Sequence, residues 1–201
     1  ELVLNGSDRF HVRVGVPVGG LESVLRALKR KSALTKLELR SLPLSLNQVR
    51  HFQMVLRYLT NLQTLALREN FLGSAHLAEI SAALECHTSI KTLDLSGNNF
   101  DDIDSAVILR NIIRNNKIMT TLDFSGNGLG QRTGAVDCFA VGLGSNSTLL
   151  KLNISRCCLK DYDIPTLAQT LGSWNTTLEE LALGYNYITS TGVGVLLETM
   201  E

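Results

Sequence analysis

Residues 90–100, IKTLDLSGNNF, and residues 119–129, MTTLDFSGNGL, align position by position without a gap. Apolar residues sit at the first, fourth and sixth positions, an Asn at the ninth and an apolar residue at the eleventh. The same template fits four more stretches. Its first three apolar sites are Leu34, Leu37 and Leu39; Leu62, Leu65 and Leu67; Ile90, Leu93 and Leu95; Met119, Leu122 and Phe124; Leu149, Leu152 and Ile154; Leu178, Leu181 and Leu183. The units begin 28, 28, 29, 30 and 29 residues apart. The ninth position reads Leu42, Asn70, Asn98, Asn127, Cys157 and Asn186, and the eleventh reads Leu44, Leu72, Phe100, Leu129, Leu159 and Ile188. A repeat of this period must be recognised before any single element, because each unit buries its apolar face only against its neighbours.

The spacing predicts a strand and then a helix in each unit. In the strand, alternate side chains point to opposite faces, so the apolar pair goes inward and the residues between them go outward. The second half of each unit carries helical spacing: Val49, Phe52, Val55, Leu56 and Leu59; Leu77, Ile80 and Leu84; Ile108, Leu109, Ile112 and Ile113. Later stripes are Phe139 and Leu143; Ile164, Leu167 and Leu171; Val193, Leu196 and Leu197. All are expected to face inward. Pro165 suits a first helical turn, where a missing N–H costs little. The Asn at the ninth position can satisfy backbone groups of its own and the adjoining coil, a role Cys fills in part and Leu42 cannot fill.

These six units resemble the leucine-rich repeat family, LxxLxLxxN/CxL, over residues 34–201. The long period with a helix in every unit is similar to its ribonuclease-inhibitor subclass. The resemblance implies an α/β fold: a curved leucine-rich repeat solenoid, or horseshoe, with a parallel concave sheet and convex helices. Residues 1–33 are less regular and are read as a degenerate N-terminal repeat or cap. There Phe10, Val12, Val14 and Val16 alternate as a strand, Leu2-Val3-Leu4 before Asn5-Gly6 is either a hairpin partner or another repeat strand, and Gly19-Gly20 leads into a basic helix from Leu21 to Lys31. Its Arg26, Lys29, Arg30 and Lys31 are expected to form a solvated face.

Composition narrows the function. Lys plus Arg (19) equal Asp plus Glu (19), so the chain lacks the basic excess of a nucleic-acid or anionic-lipid binder. No stretch approaches the roughly 20 consecutive apolar residues of a membrane-spanning helix, so no membrane insertion is expected. The four cysteines form no CxxC pair and suit a reducing, cytoplasmic setting, with thiols behaving as small apolar groups. Asn-x-Ser/Thr sequons at Asn5, Asn146, Asn153 and Asn175 are close to what chance supplies in a chain with 14 Asn. The chain starts without Met and stops inside a helical pattern, and is read as a piece of a longer protein whose flanking domains are further partners.

Catalytic chemistry finds no support in the residues. His11, His51, His76 and His87 lack the spacing of a metal pair, and the stretches 126–134 and 142–144 match neither a P-loop nor a dinucleotide fingerprint. No nucleophile with its base emerges, so the expectation is a chain that is not an enzyme, with no catalytic, cofactor or metal residues.

Specificity is expected to reside in side chains that face out from the concave sheet. The candidates for binding a partner protein are Lys36, Glu38, Arg40, Arg68, Asp94, Asp123, Lys151, Asn153, Arg156, Glu180 and Tyr185. Asp94 and Asp123 should share a register on adjacent strands roughly 5 Å apart, facing solvent, where two carboxylates would attract a cationic group or are simply ordinary repeat residues. Arg156, Tyr185 and Tyr187 bring the area and hydrogen bonds of interface anchors, with a turn-packing role for Tyr185 the alternative, and Trp174 is expected to pack in a convex loop. The resemblance implies a noncatalytic interaction scaffold. Its alternatives are a regulator of a partner enzyme such as a GTPase activator, or a sensor or autoinhibitory domain of a larger immune-receptor-like or actin-regulatory protein.

Overall fold

A computed structural model describes residues 10–14, 21–29 and 33–200. Strands and helices alternate along them: β1 (Phe10–Val14), α1 (Leu21–Leu28), β2 (Leu34–Arg40), α2 (Leu46–Leu56), β3 (Thr64–Arg68), α3 (Ser74–Glu85), β4 (Thr92–Asp94), α4 (Ile103–Asn115), β5 (Thr121–Asp123), α5 (Ala135–Gly144), β6 (Lys151–Asn153), α6 (Ile164–Ser173), β7 (Glu180–Ala182) and α7 (Ser190–Met200). The seven strands form one parallel sheet in sequence order. Strands stack on strands and helices on helices, which gives a curved α/β solenoid. The strand reading for 2–4, the glycine pair at 19–20, Val16, Arg30 and Lys31 lie outside the described residues; Lys29 is exposed, its ammonium 5.6 Å above the Tyr58 ring.

Register follows from the repeat. Leu37, Leu65, Leu93, Leu122, Leu152 and Leu181 form one inward column across β2 to β7. The first five are at most 2% exposed. They meet the inward helix stripes, including Val49, Phe52, Leu77, Ile80, Leu109, Phe139 and Leu167, in one continuous core. Phe124 takes the place of the usual Leu or Ile and stacks on Phe100, ring centroids 5.4 Å apart.

Caps fix the helix starts. Ser45 and Gln48 form a reciprocal capping box at α2, and the Asp102 carboxylate accepts from the Ser105 N–H at α4. Pro165 lies in the first turn of α6, as expected. The α7 stripe departs from expectation: Val193 and Leu197 are exposed and Leu196 is half-buried. The earlier helices α2 to α6 are sandwiched between two helical neighbours, whereas α7 packs against α6 alone among the described helices.

Two ladders of polar side chains tie successive units together. In the first, Asn98 Oδ1 accepts from the N–H groups of Asn70 and Leu72, while Asn98 Nδ2 donates to the carbonyls of Leu67 and Leu95. Asn70, Asn127 and Asn186 repeat the arrangement, so each amide bridges its own coil to the preceding one. Leu42 lacks that side chain, but its N–H is satisfied by Asn70 Oδ1 at 2.8 Å. At Cys157 the Sγ stands in, donating to the Phe124 carbonyl at 3.3 Å; burial pushes this thiol up to about 12, so it stays protonated and able to donate at neutral pH.

The second ladder runs where the helices turn back into the strands. Asn146 Nδ2 donates to the Ile113 carbonyl and its Oδ1 accepts from the Thr148 and Leu149 N–H groups. Asn175 does the same with Leu143, Thr177 and Leu178, and the Oδ1 of Asn116 takes the N–H groups of Ile118 and Met119. His87 occupies the equivalent place one unit earlier, its Nε2 3.1 Å from the Leu59 carbonyl. Asn146 and Asn175 are about 95% buried, so these two sequons are Asx turns whose amides are already spent.

Candidate functional site

The outward columns of the sheet are set by the same register. One reads Lys36, Thr64, Thr92, Thr121, Lys151 and Glu180; the next reads Glu38, Ala66, Asp94, Asp123, Asn153 and Ala182. Parallel sheets are ordinarily covered on both faces. Here all described helices lie on one side, and the Thr column stays partly exposed on the other.

Asp94 and Asp123 do stand side by side, but they do not form a free acidic pair. Asp94 is 4% exposed, not solvent-facing as expected. Its Oδ2 meets Arg68 Nε at 2.5 Å, and its Oδ1 accepts from the N–H and hydroxyl of Ser96. Asp123 holds Ser125 in the same way and takes the Asn153 amide at 3.1 Å on its other oxygen. The carboxylates thus serve their own turns and are separately neutralised, Asp94 by a guanidinium and Asp123 by hydrogen bonds. Glu38 is also buried, at 6% exposure, 4.0 Å from the Lys36 ammonium.

The other candidates remain accessible in pairs. Arg40 grips both carboxylate oxygens of Glu69, and the Ser41 hydroxyl adds a third bond. This holds the Glu69 carboxyl below and the Arg40 guanidinium above their ordinary ranges. Lys151 and Glu180 pair at 2.6 Å, both exposed. At the far end the Arg156 guanidinium lies 4.6 Å from the centre of the Tyr185 ring.

One backbone feature has no signature in the template. The residue just before each ladder position adopts a left-handed conformation: Ser41, Glu69, Gly97, Gly126, Arg156 and Tyr185, with φ from 53° to 68°. Gly97 and Gly126 adopt it freely. For the four other residues it costs on the order of 1 kcal/mol each. The strained positions carry the Arg40–Glu69 cluster at one end of this edge and the Arg156–Tyr185 stack at the other. Trp174 caps α6 and is 56% exposed. Among the described residues no cluster of His, Cys, Asp and Glu is arranged to hold a metal ion, and no helix is long and apolar enough to cross a membrane.

Comparison with protein families matches the Leucine Rich repeat model over residues 86–103, 145–161 and 175–197. With the template, the parallel sheet and the Asn ladder in place, these matches show that the chain carries leucine-rich repeats. Among solved structures its fold is similar to Leiomodin-1 Actin-Binding Site 2, at 20% identity and a TM-score of 0.59, over 77% of this chain and 84% of that one. It is equally similar to the tropomodulin C-terminal domain of Caenorhabditis elegans, at 12% identity and a TM-score of 0.59, over 75% of this chain and 90% of that one. Comparison with curated protein sequences finds no match.

Proposed function

We propose that the chain is a protein-interaction scaffold that receives a partner protein on its concave sheet. The observation that carries this reading is the open face of a seven-stranded parallel sheet, a surface that most folds cover. Its threonine column leaves room for another chain, and ion pairs at the two ends can orient one. The period of 28 to 30 residues and the helix in each complete unit support the ribonuclease-inhibitor-like subclass. The four described cysteines are unpaired and two sequons are buried, which supports an intracellular setting. The leiomodin fragment bears an actin-binding site, so actin is the first partner to test.

The test leaves the structural acids alone. Thr92→Arg with Thr121→Arg places two long side chains on the open face without touching either ladder. We expect unchanged circular dichroism and loss of the protein captured by the unmodified chain, actin or another. Capture of the same protein in equal yield by both forms would contradict the concave reading.

A further inference from the structure

The cations on β2 to β7 are matched internally: Lys36 with Glu38, Arg40 with Glu69, Arg68 with Asp94 and Lys151 with Glu180. Arg156 and Lys160 break the pattern. Among the described residues neither has a carboxylate within ion-pair distance; the Arg156 guanidinium lies over the Tyr185 ring at 4.6 Å, and the Lys160 ammonium donates to the Tyr162 hydroxyl at 3.1 Å, 5.4 Å from that ring's centre. The nearby acids are occupied. Asp161 accepts from the N–H and hydroxyl of Thr189, and Asp163 is 7% exposed and accepts from the Lys160 N–H.

Three of the four tyrosines of the chain meet on this edge, Tyr162, Tyr185 and Tyr187, exposed by 62%, 82% and 68%. The fold gathers them. Asn186 turns inward to the ladder, so its neighbours Tyr185 and Tyr187 turn out. A parallel bridge joins Tyr187 to Lys160, which brings the two loops edge to edge. Arg156 and Tyr185 both bear the cost of a left-handed backbone at a position where the central units use Gly.

We propose that this edge docks an acidic segment of the partner protein, its carboxylates received by Arg156 and Lys160 and its apolar or aromatic groups by the three tyrosines. The Arg156 guanidinium has no carboxylate partner among the described residues and the Lys160 ammonium gives its hydrogen bond to a neutral phenol, so an incoming carboxylate finds donors that the ion-paired sites at the other end of the sheet no longer offer. Rigid tyrosines supply contact area at low entropy cost, and Tyr and Arg dominate interface hot spots. The Arg156 guanidinium, already stacked on the Tyr185 ring, is positioned before binding. This deepens the scaffold reading and rests on it.

The test is selection from a displayed library of random 12-residue peptides on the unmodified chain. Enriched peptides are then measured against Arg156→Glu, Tyr185→Ala and Thr92→Arg/Thr121→Arg, with circular dichroism as the control for fold. We expect enrichment in Asp and Glu, binding that weakens as salt rises, and at least a tenfold loss with Arg156→Glu and with Tyr185→Ala. Peptides without acidic excess, or held equally by Arg156→Glu, would overturn the proposal; if the same peptides are lost on Thr92→Arg/Thr121→Arg, the concave scaffold survives while this edge does not. Competition by a single-stranded oligonucleotide at the peptide's own affinity would also overturn it, in favour of a nucleic-acid surface. No enrichment at all counts against it as well.

Discussion

Asn98→Leu should lower the stability of the chain by about 3–5 kcal/mol, read as a fall in the urea midpoint. Shape is not the reason, since Leu42 occupies the same place in an earlier unit and is buried there. The cost is polar. Asn98 accepts from Asn70 N–H and Leu72 N–H and donates to the Leu67 carbonyl, all buried; removing the amide leaves these three groups without that partner, while the Leu95 carbonyl keeps Asn127. Each unsatisfied buried group costs about 1–3 kcal/mol, partly relieved where water reaches the turn. Asn98→Cys should fall between, because Cys157 shows a thiol replacing one of the donated bonds. A Leu variant with the original midpoint would mean the ladder contributes nothing.

The second large effect is at Asp94, where Ala should cost about 2 kcal/mol and Asp123→Ala less. Both acids lock the following Ser through two bonds, which predicts a common loss at the turn. They differ in the other oxygen. At Asp94 it meets a guanidinium in a nearly buried setting, and hydrogen bonds to charged groups contribute more than neutral ones; at Asp123 it meets an amide. Asp94→Asn keeps an acceptor for Ser96 and loses the charge opposite Arg68, so it should be intermediate. The order Ala below Asn below the original residue at position 94, with Asp94→Ala more costly than Asp123→Ala, is checked by urea unfolding of these three single variants. Equal midpoints for Asp94→Ala and the unmodified chain would return Asp94 to the open surface.

The repeat made the inward columns legible because a leucine triplet at fixed period has one economical placement, with the apolar pair inside. Register then followed, and with it the pairing of Asp94 and Asp123. What spacing could not show was how deep an outward residue sits. The partner of Asp94 is Arg68, 26 residues away, and only the parallel register brings their strands together. The second ladder was within reach: Asn116, Asn146 and Asn175 recur 30 and 29 residues apart, in step with the strands. The overlap of two of them with glycosylation sequons hid that role. The left-handed row was less accessible, since Glu69, Arg156 and Tyr185 lack the Gly that marks such a backbone in LSGN and FSGN. Glu69, Arg156 and Tyr185 are thus exposed residues held in a conformation that their residue types conceal.

Site-specific photo-crosslinking in native extract distinguishes a partner seated on the uncovered sheet and its C-terminal edge from one seated on the helices. A photoreactive phenylalanine analogue replaces Thr121 on β5, Tyr185 on the edge, or Met54, which is 56% exposed on α2. The same partner protein should crosslink from positions 121 and 185 and not from 54. Crosslinking of that partner from position 54 alone would place the working surface on the helices and rule out the concave site.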